Sequence, residues 1–330
     1  VYTNAWMKLA PGKCRYGMML GEDGMVIDDG VTACLADNHF HMTTTTGGAA
    51  RVFSHLEDYL QTEWPDLKVF LTTTTEQWAV AAICGPESPN LVGELLDDFD
   101  PDPEKFAFMT WRDATMAGVP VRVFRISFTG EISYEINIPA TYGLWMWEQI
   151  MAKGAPYGIT PYGTEAMHLL RAEKAFVIVG QETDGTVTPH DLRMDWIVKK
   201  SGDFIGKRSL FRSDTARPGR KQLVGLLTED PATVLMEGAH IIATQAKAEP
   251  PVPMLGHVTS SYFSPNLNRS IALAMVADGG KRIGETLWIS QKDGKAIPVR
   301  VTETDFLALA EKGEIGATID TQEEAKTGNE

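Results

Sequence analysis

Two strand-like stretches carry carboxylates among apolar residues. In Met25-Val26-Ile27-Asp28-Asp29-Gly30 a pair of acids ends an apolar run. Adjacent strand residues face opposite sides, so Asp28 and Asp29 cannot work as a carboxylate dyad. One must point outward and the other toward the core or a pocket. Turn polarity before Gly30 is the plain reading, and a single buried acid aimed at a ligand is the sharper one. In Phe128-Thr129-Gly130-Glu131-Ile132-Ser133-Tyr134-Glu135, the last acid alternates with Tyr134 and Ile136. A carboxylate facing a core needs hydrogen-bond donors or it takes up a proton. An amidine-like edge, N–H beside NH₂ as in a pterin or guanine, would supply two parallel donors. The plain alternative is an exposed strand Glu.

Other groupings carry less chemistry. His39 and His41 share a strand face, but no third ligand lies nearby in sequence, so they read as a packed or solvated pair and no metal is expected. Arg171 and Glu173 are two apart on a helix and do not face each other, so each needs a different partner. Trp145, Trp147 and Trp196 read as core or lid aromatics, with Trp196 also able to flank a planar ligand. Cys14, Cys34 and Cys84 are an odd, widely spaced set that reads as reduced thiols of a cytoplasmic protein. Motifs G-x-G-x-x-G after a strand, Walker A, G-x-S-x-G and H-E-x-x-H are absent. The chain alone is therefore not expected to bind a dinucleotide or to perform redox chemistry.

The elements that must position these groups alternate strand and turn at first. Strands are expected over 15–20, 25–35 and 39–46, with Glu22-Asp23-Gly24 and Asp37-Asn38 as turns. Val52, Phe53, Leu56, Tyr59 and Leu60 recur at helical spacing and predict a helix over 49–62. A strand follows over 78–84. Segments 121–128 and 134–138 form a hairpin around Thr129-Gly130-Glu131. Thr141 is the expected N-cap of a helix through Lys153, with Gly154 as its C′ residue, and another helix spans 164–174. From Gln222 short strands near 223–227, 257–262, 271–276, 286–289 and 298–301 predict a small all-β barrel or sandwich. The polar, acidic stretch after Gly313 reads as a disordered tail.

The chain has 330 residues, a net charge of −14 and 43% hydrophobic residues. That length suits one large or two to three small domains. The acidic balance disfavours nucleic acids and anionic membranes as partners. No apolar run approaches the ~20 residues that span a bilayer, and no signal peptide is seen. The chain opens Val1-Tyr2-Thr3-Asn4-Ala5-Trp6 without an initiator Met, as if in the middle of a fold, so it reads as a piece of a longer polypeptide.

Taken in order, several segments resemble the aminomethyltransferase (glycine-cleavage T-protein) family. They are Tyr2-Thr3-Asn4-Ala5-Trp6, Gly24-Met25-Val26-Ile27-Asp28-Asp29, Ser127-Phe128-Thr129-Gly130-Glu131 with Tyr134-Glu135-Ile136, and Leu170-Arg171-Ala172-Glu173-Lys174. Thr188-Pro189, Asp203-Phe204-Ile205-Gly206-Lys207 and Gly256-His257-Val258-Thr259-Ser260 follow. Within the family the likeness leans to the folate-binding C-terminal half of heterotetrameric sarcosine oxidase alpha subunits. The resemblance runs from about residue 1 to about residue 303. It implies an α+β fold: a T-protein-like cloverleaf of two antiparallel-sheet α+β subdomains plus a C-terminal β-barrel. The boundaries it implies are a folate-binding α+β region over 1–219, truncated at its N-terminus, a barrel over 220–304 and a polar acidic tail over 305–330.

The resemblance also implies roles. Asp29 would lie near the reactive folate nitrogens as the catalytic acid, Tyr16 would line the pocket, and Glu135 would grip the pterin. Phe128 stands where the family usually has Tyr, and Trp196 matches a pocket aromatic. Family T-proteins carry Ala-Arg-Asp where this chain has Ala166-Met167-His168, so that basic contact is missing and the oxidase branch is favoured over a lipoyl-carrier T-protein. The function implied is tetrahydrofolate-dependent one-carbon transfer in a sarcosine-oxidase-like complex. There an iminium from sarcosine oxidation becomes 5,10-methylenetetrahydrofolate and glycine. FAD or FMN and NAD would sit only in other parts of that complex, with flavin-containing subunits as partners. A stand-alone aminomethyltransferase or demethylase and a non-catalytic scaffold are the rival expectations.

Overall fold

A computed structural model describes residues 1–245, 251–291 and 295–315. The chain divides into two compact units. The first comprises Val1–Gly163, Thr183–Pro189 and Met194–Ala216. The second comprises Thr164–Glu182, His190–Arg193 and the chain from Arg217 onward.

The first unit holds two antiparallel sheets. Strands β1 (Cys14–Leu20), β2 (Val26–Ala36) and β3 (His39–Met42) form a three-stranded meander. Gly24, with φ +87°, supplies the left-handed residue of the β1–β2 turn, where a side chain would be strained. Helix α1 (Ala49–Thr62) has the bounds its apolar spacing predicts. It packs Val52 and Leu56 on Tyr2, Met19 and Ile27. The second sheet contains β4 (Trp78–Cys84), β5 (Thr110–Met116), β6 (Val119–Arg125) and β7 (Ser133–Pro139), in the order β4-β7-β6-β5. Helices α2 (Ser88–Leu95) and α3 (Gly143–Gly154) cover one of its faces. That face is apolar because Tyr134, Ile136 and Ile138 alternate onto it, where they meet Leu91, Val92, Met146 and Ile150.

The second unit opens with α4 (Thr164–Glu173). Six strands then close a barrel: β8 (Lys221–Thr228), β9 (His240–Ile242), β10 (Gly256–Ser264), β11 (Arg269–Ala277), β12 (Thr286–Ser290) and β13 (Ala296–Thr302). The strand order is β10-β11-β8-β13-β12-β9, and Val224, Leu226, Ile241, Val258, Ala274, Leu287 and Val299 fill the interior.

Several local expectations change. β3 stops at Met42, short of the expected Thr46, and Thr46 instead begins a 3-10 turn that runs to Gly48. Tyr142, not Thr141, is the N-cap of α3, because Ala140–Tyr142 already form a 3-10 turn. Gly154 stays inside α3, and the left-handed residue is Gly158, after a further 3-10 turn. Helix α5 (Phe306–Glu311) lies within the stretch expected as a polar tail, anchored by buried Phe306 and Leu309 and capped by the Asp305 carboxylate on Ala308 N–H. The rest of that expected tail, 316–330, lies outside the described residues. Thr164–Glu182, expected with the folate-binding region, instead clusters with the barrel, because Arg171 and Glu173 bond to residues of β10 and the turn after it.

Candidate active site

The register of the first sheet sorts its polar residues. Tyr16 pairs with Val31, Met18 with Asp29 and Cys14 with Ala33, so Cys14, Tyr16 and Asp29 share one face. Asp28 pairs with Met19 and takes the opposite face. The two acids thus part company as strand alternation requires.

Their environments differ sharply. Asp28 is fully buried and satisfied. Its carboxylate accepts from Thr45 N–H and Thr45 Oγ1, each at 3.0 Å, and from Asp29 N–H at 2.9 Å. A Cβ at Gly48 would strike this carboxylate, so the turn residue must be Gly. Asp28 is therefore an internal staple between β2 and the turn before α1. Asp29 is half-buried, and the Tyr16 hydroxyl donates to its Oδ2 at 2.7 Å. Burial pushes the Asp29 carboxyl up to about 6, and the nearby Asp28 charge adds to that rise, while the Tyr16 hydrogen bond works against it. Such an acid can exchange a proton near neutral pH and can stabilise a nearby cation.

The second sheet turns its polar face to the same place. Glu135 pairs with Phe124 on β6 and with Ala82 on β4, so these three share the face opposite the helices. The Phe124 ring lies 5.7 Å from that of His41, and His41 pairs with Ala33 on the Tyr16–Asp29 face of the first sheet. Phe124 and Ile126 also pack with Cys14 and Ala33 in one apolar cluster. One main-chain bond and one indole bond lock this arrangement: Cys14 N–H donates to Met109 C=O, and Trp111 Nε1–H to Cys34 C=O, both at 2.8 Å. The polar faces of both sheets therefore meet within one unit.

Glu135 is the unpaired acid of this assembly. Its carboxylate accepts no hydrogen bond from the described residues. Burial alone pushes its carboxyl up to about 7. The Glu135 charge is felt by the Cys14 thiol, which burial pushes up to about 12, and Cys14 stands two residues from Tyr16 on the same face. Tyr162, bonded to Cys84 on β4, also feels Glu135, although burial is the larger cause of its raised pKa.

The structure joins Tyr16 to Asp29 directly, and packs Phe124, the cross-strand neighbour of Glu135, with Cys14 on their face. Phe128 lies in the β6–β7 connection, 36% exposed, and Trp196 lies outside both sheets in a 3-10 turn, 70% exposed. Trp145 packs partly buried against the helix-covered face, whereas Trp147 is exposed. Burial and the Arg122 charge hold the His41 imidazole below its ordinary range, and no group of three or more His, Cys, Asp or Glu suits a metal among the described residues. All three cysteines are free. One residue of this face escaped the sequence reading: Asn137, two positions after Glu135. The available signal was the alternation itself, Glu135 and Asn137 between Tyr134, Ile136 and Ile138.

Two facing sheets followed by a closed six-stranded barrel define a mixed helix-and-sheet protein with a carboxylate-lined site in its first part. The GCVT N-terminal domain matches residues 1–202, and the glycine cleavage T-protein C-terminal barrel domain matches residues 221–307. The chain belongs to the glycine-cleavage T-protein family. It is 50% identical over 305 residues to "Sarcosine oxidase subunit alpha" of Corynebacterium sp. (strain P-1), covering 92% of this chain and 31% of that protein. The same-named subunit of Rhizobium meliloti (strain 1021) is 41% identical over 310 residues, covering 93% of this chain and 31% of that protein. The chain thus spans about a third of the length of these relatives. The aminomethyltransferase of Thermotoga petrophila is 26% identical over 304 residues, covering 92% of this chain and 79% of that protein. The fold matches the crystal structure of glycine cleavage system aminomethyltransferase T from Bartonella henselae, with a TM-score of 0.76 at 21% identity, over 92% of this chain and 79% of that one.

Proposed function

We propose that the chain is the tetrahydrofolate-binding, one-carbon-transfer part of a sarcosine-oxidase-like complex. In this reading sarcosine is oxidised at a flavin held by another part of the complex, and the resulting iminium reaches this chain. Its methylene carbon joins tetrahydrofolate, giving 5,10-methylenetetrahydrofolate. The two folate N–H protons end on the departing glycine amine, so atoms and charge balance.

The observation that carries the reading is Glu135. A desolvated carboxylate without a donor is costly, and a bound group with two adjacent N–H donors removes that cost. The pterin head of folate presents such an edge in its 2-amino and N3–H groups. Bound folate supplies the nucleophilic nitrogens for carbon transfer. Asp29, across the meeting faces and tuned to about 6, steers and deprotonates at that nitrogen and stabilises cationic charge nearby. Tyr16 fixes the carboxylate that does so. Phe128 and Trp196 are assigned as walls of the same pocket. Holding both reactants at one site raises their effective concentration and keeps out the water that would otherwise release formaldehyde. FAD or FMN and NAD belong, in this reading, to other parts of the complex, in the cytoplasm.

The test is an anaerobic calorimetric titration of the chain with tetrahydrofolate, with Glu135→Ala alongside. Binding that the substitution removes supports the reading, and no binding by the intact chain favours the scaffold role instead. In turnover with the oxidase partner, Asp29→Ala should lower folate-dependent product by about 10²- to 10⁴-fold with the fold intact, as loss of an acid–base group does. Retention of full coupling would remove Asp29 from the mechanism.

A further inference from the structure

Arg122 stands on the Glu135 face of the second sheet. It pairs with Asn137 on β7 and with Asp113 on β5. Along β6 it lies two residues, about 6.6 Å, from Phe124, the cross-strand neighbour of Glu135. Its guanidinium carbon is 5.0 Å from the Trp111 ring centroid and 5.7 Å from that of Trp78. Trp111 comes from β5 and Trp78 from β4, so indoles from both sides of β6 flank the group. The Nε–H donates to Asp113 Oδ1 at 3.2 Å. Asp113 is 66% exposed, and an ion pair so placed contributes little. The side chain of Arg122 keeps 18% of its surface. Its terminal nitrogens, Nη1 and Nη2, have no hydrogen-bond partner among the described residues, and both reach solvent.

The group also points its field to where the two sheets meet. After burial, the Arg122 charge is the largest cause that holds the His41 imidazole low, and the His41 ring lies 5.7 Å from that of Phe124. A planar cation held between two rings loses little freedom on gaining a partner, and its parallel N–H donors match the two oxygens of a carboxylate. Asp29 and Glu135 would repel an anionic ligand, and a cation on the same assembled face offsets that repulsion. We propose that Arg122 is a carboxylate-binding residue of this unit, its Nη1–H and Nη2–H donating to the two oxygens of one ligand carboxylate while Trp78 and Trp111 hold the fork. This rests on the folate reading above, which brings two sources of that group: the glutamate end of folate, and the amino-acid carboxylate shared by the iminium and glycine. Both present the same chemistry to the fork.

Three ligands separate the sources. Folic acid and its diamide, with both glutamate carboxyls converted to carboxamides, differ in charge and hardly in shape; glycine carries the amino-acid carboxylate alone. Dissociation constants of all three are measured by calorimetry for the full chain, for Arg122→Gln and for Arg122→Lys. If the folate tail is the partner, the intact chain should bind folic acid about ten-fold more tightly than the diamide, the effect of a charge-assisted pair. Arg122→Gln should then bring the preference within about two-fold and leave the diamide unchanged, a coupling read from the cycle. Arg122→Lys, a charge without the fork, should fall between. If the amino acid is the partner, Arg122→Gln should instead weaken glycine about ten-fold. If Arg122→Gln changes neither the preference nor glycine, or weakens all three ligands alike, Arg122 only braces the sheet and the inference is overturned. Glu135→Gln tests the underlying reading separately, because it should weaken folic acid and the diamide by one factor. If it changes neither, or if the intact chain binds neither, the folate reading fails. Glycine then decides Arg122 alone, and glycine binding indifferent to Arg122→Gln overturns it.

Discussion

Both units of this molecule bury acids with partners, Asp28 in the first and Glu182 in the second, but the first unit also holds two acids that burial perturbs, Asp29 and Glu135. In the barrel unit, Glu182 is fully buried yet accepts from Arg171 Nη1 at 2.7 Å, from Ser260 Oγ at 2.6 Å and from Ile178 N–H at 2.8 Å. Arg171 also donates to Ser260 Oγ at 2.6 Å and to Phe176 C=O at 2.9 Å. Glu173 accepts from Ser264 Oγ at 2.5 Å and Asn266 Nδ2 at 2.9 Å. These acids tie α4 to β10 and to the turn after it. In the first unit, Glu135 is desolvated with nothing in return, and Asp29 has one hydroxyl against the cost of burial and a neighbouring charge. Burial with partners marks structure. Burial without them marks a place where a ligand completes the hydrogen bonding, and perturbed carboxylates gather there for that reason.

The comparison can be broken by neutralising one acid in each unit. Glu182→Gln strands a buried guanidinium and should destabilise the fold by about 3–5 kcal/mol, read as the loss in a denaturant unfolding midpoint. Glu135→Gln should do the reverse. Its carboxyl titrates near 7 in the fold against about 4.5 when unfolded, so the native state holds the proton more tightly. That contribution is complete below about pH 4.5 and is lost as pH rises through about 7. The Gln variant should therefore be more stable than the parent at pH 8, by about 1–3 kcal/mol, and nearly equal to it at pH 4. If both substitutions destabilise equally at pH 8, the contrast between the units is wrong.

Binding gives a second, smaller handle on the same acid. The donors of the ligand favour the ionised form of Glu135, so affinity for folic acid should fall as pH drops below about 7. Complex formation near pH 7 should release a proton. Calorimetry in two buffers of different ionisation enthalpy would show it as an offset in apparent heat. No offset, with affinity flat from pH 6 to 8, would place the ligand elsewhere.

How much of this was legible in the sequence follows from the range of each interaction. Helix α1 and strand β4 have the bounds expected from the sequence, since the helical spacing of the one and the apolar run of the other are local. The opposite facing of Asp28 and Asp29 is strand geometry, and it holds. So does the expectation that Arg171 and Glu173 find different partners. Short elements escaped: β9 has three residues, too few to show alternation. The meeting of the two sheets also escaped, because the Trp111–Cys34 bond spans 77 positions and no local pattern encodes it. For Glu135 the sequence left two readings open, since alternation says which residues share a face but not what that face meets. Asn137 shows the same limit: its parity was readable, and the missing partner of its enclosed Nδ2 was not.

The smallest expected effect tests Asp29 through its one donor. The Tyr16 hydroxyl holds the Asp29 carboxyl below where burial would put it. Tyr16→Phe removes that bond and should cost about 1 kcal/mol of stability at pH 8, where Asp29 is ionised. Because the ionised form loses support, the Asp29 carboxyl should rise further above about 6. The acid limb of the pH profile for folate-dependent product should then move to higher pH. Near pH 8 the rate should change little, whereas at pH 6 it should drop, since more of the variant is protonated. A purely structural Tyr16 would lower the rate by the same factor at every pH. The shape of the profile therefore decides whether this hydroxyl tunes the acid or merely packs beside it.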